Sequence, residues 1–394
     1  MPERPRILLV RGNVARTWEL RPWELLDDRF DVAYLQINRN ILDTSGVRLR
    51  SIPVKARSSY MPPGRLGLIV AGAVGDRYLG ADDAFAWADI VHAEELFTWA
   101  GADAARRKAR HGFKLILTVW ETIPFLAAYR TRTARAHREW TLRETDLFLP
   151  TTERARAALL LEGVEAERME ILSPGIDVDR FGAAAETPPT EHLLISPGRL
   201  VWEKGHQDVI RALTVLKQGI VPGASAENAR LLIVGSGPEE ARLKAYAEEL
   251  GVSKQVEFGS VPYDEMPGMF ARASCLVLAS LHAAYGFYPT DIPRIFWEEQ
   301  FGLVLLEAMA AGLPIVASSS GGIPEVCGDA ATYFAAGDWL GLAARLAEGP
   351  LSRPPGEHVE HPAARVAHFG TGAMAERLAA VYDRTLASGR GSGG

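Results

Sequence analysis

The sequence predicts an α/β protein made of two doubly wound domains, each with helices on both faces of a parallel sheet. Short apolar runs, the pattern of buried parallel strands, alternate along the chain with longer segments of helical periodicity. Because parallel strands are joined by crossovers, this alternation indicates βαβ units. The chain has 394 residues, which is enough for two domains of ordinary size.

The first predicted domain covers residues 1–181, and one of its loops stands out. In a doubly wound fold the loop after the first strand lies at the ligand crevice. Here that loop is Arg11-Gly12-Asn13, and Gly12 is a candidate for close approach of a phosphate or an acceptor. Residues 38–67 show no clear period. The strand candidates are the runs 6–10, 32–35, 90–93, 114–119, 147–149 and 169–172.

The second predicted domain covers residues 182–370 and begins with a linker at 182–190, which is rich in alanine and proline. A closing helix is expected within 371–388, and the Gly-rich end, 389–394, is expected to be disordered. The strand candidates are the runs 192–196, 230–234, 256–259, 275–279, 315–317 and 331–334.

Composition narrows the classes of function. The net charge of −6 argues against general nucleic-acid binding. Two cysteines do not make a disulfide framework or a cysteine-built zinc site, and they suit a reducing compartment. The chain has no apolar run near ~20 residues and no signal-peptide core. We therefore expect a cytoplasmic protein.

The stretch 296–326 carries the strongest chemical signal. Glu299 is expected in a loop, and Glu307 eight residues later falls in the second turn of a helix that opens near Phe301, Gly302 and Leu303. The first N–H groups of that helix lack helical partners and favour an anion, while carboxylates accept hydrogen bonds from hydroxyls. Sugar nucleotides need this combination. The alternative, for either glutamate alone, is an ordinary surface carboxylate.

Three spaced motifs extend this signal into a family resemblance. E-x7-E runs into A-M-A-x-G-x-P-I-V-A and then G-G-x-P-E, and G-R-L-x-x-x-K-G precedes them at 198–205. This pattern resembles the donor site of retaining GT-B glycosyltransferases of family 4 (glycosyl transferases group 1), which include sucrose synthases and bacterial phosphatidylinositol mannosyltransferases. The resemblance implies two Rossmann-like domains facing a cleft, with a C-terminal helix crossing back to the first domain.

The resemblance also implies roles for individual residues. Arg199 and Lys204 would bind the diphosphate, Glu299 hydroxyls of the donor sugar, and Glu307 the ribose hydroxyls. Taken singly, an arginine or lysine at such a position is more often a surface charge. The positions expected to border the nucleotide are Gly198, Ser236, Gly237 and Val261, with the helix opening at Phe301, Gly302 and Leu303.

One strand end departs from a common family pattern. Many relatives carry His-x-His there, whereas this chain reads His92-Ala93-Glu94. Glu94 thus occupies the place of a histidine near the donor sugar, and strand alternation puts it on the same side as His92. Glu121 ends the next strand and is expected to face the same crevice. The hypothesis is a catalytic carboxylate at Glu94, and the alternative is an exposed strand-end residue.

The activity implied is a retaining, metal-independent transfer of a hexose from a nucleoside diphosphate sugar, with UDP- or GDP-sugars the expected donors, to a hydroxyl acceptor. We expect no cofactor. We also expect no metal site, because arginine, lysine and a helix terminus supply the positive charge. The alternatives are a sugar-nucleotide-binding subunit without activity, or a phosphorylase- or epimerase-like relative. The sequence identifies neither the sugar nor the acceptor.

A basic segment suggests a partner. Residues 106–143 hold ten Lys and Arg against two glutamates, and Arg132, Arg135 and Arg138 are spaced to share a helix face. One hypothesis is docking on an anionic membrane, at the inner face, or on an anionic lipid-linked acceptor. The alternative is a solvated helix face.

Overall fold

The computed structural model describes residues 3–37, 44, 46–61, 75–126, 132–182, 189–221, 228–285 and 295–390. The chain divides into two compact units, residues 1–175 with 371–394, and residues 176–370. The boundary thus precedes the one expected at 181, because the helix Val178–Gly182 packs against the helix Leu303–Ala310 of the second unit. Most of the predicted linker at 182–190 lies outside the described residues.

The first unit is built on a seven-stranded sheet in the order β4-β3-β2-β1-β5-β6-β7. All neighbours pair in parallel except β3 and β4. Its strands are β1 (Arg6–Leu9), β2 (Asp31–Ile37), β3 (Arg50–Ala56), β4 (Tyr78–Leu79), β5 (Ile90–Glu94), β6 (Lys114–Val119) and β7 (Leu147–Pro150).

The strand predicted at 169–172 is wrong. The segment follows a 3₁₀ turn and joins β7 through a single bridge between Phe148 and Met169. The N–H groups of Glu170 and Leu172 donate to carbonyls of β7, so the segment lies along the sheet without a regular ladder.

The second unit holds a six-stranded parallel sheet in the order β10-β9-β8-β11-β14-β15, and a separate antiparallel pair, β12 with β13. Both large sheets reverse direction of winding, at β1/β5 and at β8/β11, where α/β proteins bind ligands. The strands are β8 (Leu193–Pro197), β9 (Arg230–Val234), β10 (Val256–Gly259), β11 (Cys275–Leu278), β12 (Ala283–Tyr285), β13 (Ile295–Trp297), β14 (Ile315–Ser318) and β15 (Thr332–Phe334).

The helices follow the predicted alternation. Within the described residues, none is long and apolar enough to cross a membrane. In chain order they are α1 (Thr17–Glu24), α2 (Asp82–Trp87), α3 (Trp99–His111), α4 (Arg132–Glu144), α5 (Glu153–Leu161), α6 (Val178–Gly182), α7 (His206–Lys217), α8 (Glu240–Glu249), α9 (Met266–Ala271), α10 (Leu303–Ala310), α11 (Ile323–Cys327), α12 (Trp339–Glu348), α13 (Ala363–His368) and α14 (Thr371–Arg390).

Helix α14 belongs to the first unit, as the predicted returning helix requires. Met374, Leu378 and Tyr382 are buried in the core on one face of the first sheet. The Tyr382 hydroxyl accepts a hydrogen bond from Trp23 Nε1 at 2.7 Å. The helix continues to Arg390, and the rest of the tail predicted to be disordered, 391–394, lies outside the described residues.

Candidate functional site

Glu299 is fixed in a buried loop between β13 and α10. Its Oε2 atom accepts hydrogen bonds from Lys204 Nζ and from Ser280 Oγ, both at 2.6 Å. Its backbone N–H donates to Ser320 Oγ at 3.1 Å. Ser280 follows β11 and Ser320 follows β14, so the carboxyl ends of two neighbouring strands orient this carboxylate.

Lys204 is held equally well. It ends a 3₁₀ turn, and Gly205 after it has φ 71° and packs so closely that a Cβ atom would lie 1.9 Å from the Ala279 carbonyl oxygen. The ammonium also lies 5.1 Å from the centre of the Trp297 ring, a cation–π distance. The turn therefore fixes the Lys204 ammonium beside Glu299. The ammonium has three N–H donors, so it can also donate to a second acceptor.

Arg199 is arranged differently from Lys204. Its side chain is 66% exposed, and its nearest ion-pair partner in the described part of the chain is Glu203, at 4.0 Å. The structure thus brings Lys204 and Glu299 together but leaves the Arg199 guanidinium at the surface of the same loop.

The glycines of the two strand-end loops allow their backbones to touch. A Cβ atom on Gly235 would lie 1.9 Å from the Gly198 oxygen, and one on Gly237 would lie 2.3 Å from the Leu200 oxygen. The Ser236 carbonyl accepts a hydrogen bond from Leu200 N at 2.9 Å. Gly235 was not among the predicted residues, although its place directly after β9 was the available signal. Val261 lies two residues beyond the end of β10.

Helix α10 opens as predicted, with Glu299 in the preceding loop and Glu307 in the second turn. Gly302, at the N-cap, has φ 79° and no side chain that could cap the helix. The first N–H groups of α10 therefore point out of its amino-terminal end without a capping side chain. The Phe301 ring is buried and packs edge-on against Phe369 at 5.9 Å. Phe301 can therefore offer a ligand its backbone but not its ring.

Glu307 is almost fully buried. Burial raises the pKa of its carboxyl to about 7, against a hydrogen bond from Tyr263 and the charge of Arg180, both of which favour the ionised form. Tyr263 was missed by the sequence analysis. It stands in a 3₁₀ turn just after Val261, 44 positions from Glu307, and no local pattern links the two.

In the first unit, Glu94 ends β5 beside two partners that sequence did not indicate. Arg11 Nε lies 3.6 Å from its Oε1 atom, and Trp120 Nε1 donates to the same oxygen at 3.3 Å. The Glu94 side chain is 15% exposed. Glu121 instead accepts hydrogen bonds from the N–H groups of Thr122 and Ile123, so its carboxylate stabilises the turn after β6.

His92 has a structural role in this arrangement. Its ring is fully buried, with Nδ1 2.6 Å from the Tyr382 hydroxyl and Nε2 2.7 Å from Thr118 Oγ1. Burial and the nearby Arg11 hold its pKa well below the usual range. Both nitrogens are thus occupied, and the ring stays neutral.

Gly12 lies in a closely packed turn after β1, and its role toward a phosphate or an acceptor stays a prediction. Its N–H donates to the Tyr78 hydroxyl at 2.8 Å, and a Cβ atom would lie 3.3 Å from the Trp99 ring. Its φ of 61° lies in the left-handed region that favours glycine.

The basic segment is more neutral in three dimensions than in sequence. Arg138 forms a charge pair with the buried Glu162, and Lys108 lies 2.7 Å from Asp146. Arg107 contacts both Asp82 and Asp103. The three arginines predicted along one face of α4 therefore do not act alike, since Arg132 and Arg135 are exposed while Arg138 is paired inward.

Comparison with known protein families gives two matches. The model described as "Glycosyl transferases group 1" matches residues 178–348, and the "Glycosyl transferase 4-like domain" model matches residues 36–175. The two matches fall on the two structural units.

Curated relatives include a GDP-mannose-dependent alpha-(1-6)-phosphatidylinositol monomannoside mannosyltransferase from Mycobacterium tuberculosis H37Rv. It is 34% identical over 41% of this chain and 40% of its own. A glycogen synthase from the same strain is 30% identical over 66% of this chain and 59% of its own. The matched region thus spans about half the length of these relatives.

Solved structures match over nearly the whole chain. HepE from Anabaena, in complex with UDP and glucose, has a TM-score of 0.68 at 16% identity, covering 97% of this chain and all of its own. Sucrose-phosphate synthase from Thermosynechococcus elongatus has a TM-score of 0.69 at 19% identity, covering 98% of this chain and all of its own. These likenesses confirm the predicted two-domain fold.

Proposed function

We propose, from the premise that the chain belongs to the group 1 glycosyl transferases of the GT-B, family 4 kind, that it transfers a hexosyl group from a nucleoside diphosphate sugar to a hydroxyl acceptor. The observation that carries the proposal is the contact between Lys204 and Glu299 beside the uncapped start of α10. A cation, a carboxylate and helix N–H groups without a capping side chain are the donors and acceptors that a sugar diphosphate needs.

The roles follow from these contacts. Lys204 keeps protons for a phosphate oxygen while it orients Glu299, whose second oxygen would accept a sugar hydroxyl. Arg199 would fold onto the diphosphate, and the N–H groups at Gly302 and Leu303 would complete the cradle. Glu307 would bind the ribose, because its buried carboxyl already accepts one neutral hydroxyl, that of Tyr263.

The other residues predicted for the donor site would shape the binding site for the diphosphate but would not supply charge to it. Gly198, Ser236 and Gly237 would admit the phosphates through the closely packed loops, Val261 would meet the base through its backbone, and Phe301 would anchor the helix start. We assign no cofactor beyond the donor, with UDP- and GDP-sugars as first choices.

The stereochemical course and the metal requirement are also proposed. The leaving diphosphate would act as the base toward the acceptor on the same face of the sugar, which retains the anomeric configuration. Lys204, Arg199 and the helix terminus would stabilise the diphosphate charge without a divalent cation. Product analysis by NMR, with and without a chelator, tests both statements; an inverted anomer or loss of activity in chelator would contradict them.

A donor panel tests the binding half of the proposal. In a thermal-shift series of UDP-, GDP- and ADP-sugars, a donor at 100 times its dissociation constant should stabilise the fold by ~2.7 kcal/mol. Glu307→Gln should weaken binding of the free nucleoside diphosphate as well, because an unpaired buried partner costs roughly 1–3 kcal/mol. Glu248→Gln, on the exposed face of α8, is the matched control.

Turnover of the donor that binds, measured on the purified protein, completes this test. Stabilisation without turnover would favour a binding subunit, and equal nucleotide binding by wild type and Glu307→Gln would remove Glu307 from the site.

We further propose a cytoplasmic enzyme that meets a lipid-linked acceptor at an anionic membrane. The exposed arginines of the basic segment, including Arg110, Arg132 and Arg135, support this at about 1 kcal/mol per residue near such a surface. At low salt the protein should co-sediment with anionic vesicles and not with neutral ones, and Arg132→Gln with Arg135→Gln should reduce that fraction. Equal sedimentation with both vesicles would contradict membrane docking.

A further inference from the structure

The first unit has a small, partly open pocket beside the β1/β5 reversal point, with about 20 Å³ of room for the centre of a water molecule. Its walls include the rings of Trp18, Trp23 and Trp120, and its polar groups include the carboxyls of Glu19 and Glu94. This space is about that of one water molecule or one hydroxyl group, with aromatic walls and a few polar groups around it.

Arg11 holds the two carboxyl groups together beneath this pocket. Its Nε lies 2.5 Å from Glu19 Oε1 and 3.6 Å from Glu94 Oε1. Its Nη1 donates to the His92 carbonyl at 2.8 Å, while Nη2, also buried, has no hydrogen-bond partner in the described part of the chain. The guanidinium is 1% exposed and lies 5.1 Å from the centre of the Trp23 ring.

The charges of this buried cluster do not balance if both carboxyls are ionised. One guanidinium faces two carboxyl groups. Burial holds the pKa of His92 far below its usual range and raises the pKa of Tyr382, so neither contributes charge near neutral pH. Burial, and then the charge of Glu94, raises the pKa of Glu19 to about 8, against the opposing charge of Arg11.

We propose that Glu19 is a positioning residue for Glu94: the two carboxyl groups share one proton, held on Glu19, so that Glu94 stays ionised and fixed at the pocket. The geometry supports this arrangement, because both carboxyl groups approach the same Arg11 Nε atom. Glu94 then presents a carboxylate to an uncharged hydroxyl of the substrate, since a phosphate or carboxylate group there would be repelled. The substrate clause rests on the proposed function; the shared proton does not.

The shared proton makes folding depend on pH in a defined direction. The folded protein keeps the Glu19 proton up to about pH 8, whereas an unfolded glutamate releases it near 4.5. The stabilisation is therefore complete below about pH 4.5 and is lost as the pH rises toward 8. Between those limits, the unfolding equilibrium constant of wild type should rise about tenfold per pH unit relative to Glu19→Gln.

Urea denaturation of the ligand-free protein at pH 5, 6, 7 and 8 measures this difference. Glu94→Gln should narrow the pH range of this dependence, because it removes the Glu94 charge but not the burial of Glu19. It serves as the test if Glu19→Gln does not fold. Glu24→Gln, at the end of the same helix, is the control and should follow wild type, because its carboxylate accepts from the Arg48 N–H at the exposed surface. If the ratio of the wild-type unfolding constant to that of each test variant is the same at every pH, the two carboxyl groups do not share a proton.

The pH profile of transfer provides a separate readout. Glu19→Gln keeps a permanent donor toward Glu94 and should retain activity above pH 8, where wild type declines, while Glu19→Ala should be impaired at every pH. Identical profiles for wild type and Glu19→Gln would contradict the positioning role. Absence of transfer by wild type would instead defeat the proposed function and leave the denaturation result standing.

Discussion

Replacing Lys204 with alanine should lower turnover of the donor by at least about 100-fold, the usual cost of losing one preorganised electrostatic group. The ammonium is fixed by its turn, by Glu299 at 2.6 Å and by the Trp297 ring, so a neighbouring side chain cannot easily replace it. Its loss also leaves the Glu299 carboxylate buried, with Ser280 as its remaining side-chain donor among the described residues. Steady-state kinetics with the donor found in the panel measures the effect.

Lys244→Ala is the matched control for this experiment. Lys244 pairs with Glu240 on an exposed helix face at 2.7 Å, and its removal should leave turnover unchanged.

Arg199→Ala should also lower turnover by about 100-fold, because it removes a cation that would bind the diphosphate. Near-wild-type activity of both Arg199→Ala and Lys204→Ala would refute the assignment of the donor site.

Glu94→Ala should fold, bind nucleoside diphosphate normally and lose most transfer activity. Nucleotide binding is assigned to groups of the second unit, whereas Glu94 belongs to the first. A carboxylate at the strand end can accept a hydroxyl of the sugar or acceptor, or stabilise an oxocarbenium-like transition state, and alanine can do neither. The measurement is the transfer rate with the true acceptor, next to nucleotide binding by thermal shift.

The control for Glu94→Ala is Glu170→Ala. Glu170 is an exposed carboxylate of the same unit, paired with Arg384, and its loss should not change the rate. Glu94→His, which restores the more common family residue, should recover part of the activity. An unchanged rate for Glu94→Ala would remove Glu94 from the active site.

The alternation of elements and the local geometry around α10 could be predicted from sequence, because both depend on spacing within a few residues. Strand β3 was not predicted, since Pro53 and Lys55 interrupt its apolar pattern. The run at 169–172 has the composition of a strand, but only backbone pairing decides whether a ladder forms.

The contacts inside the candidate sites could not be predicted for a related reason. Lys204 meets Glu299 across 95 positions, and Arg11 meets Glu94 across 83. Such pairs are set by which strand ends become neighbours in the sheet. Sequence marked Lys204, Glu299 and Glu94 individually through motifs, but Arg11 and Glu19 belong to no motif and appear only once β1, β5 and α1 are assembled.

Helix α14 gives the chain an order of synthesis that differs from its order of assembly. Residues 1–175 emerge from the ribosome long before Tyr382, whose hydroxyl is the partner of Trp23 and His92. Residues 176–370 are contiguous and can complete their own sheet first. The apolar face of the amino-terminal unit therefore stays uncovered until residues 371–390 have left the exit tunnel. Chaperone binding would matter most during this interval.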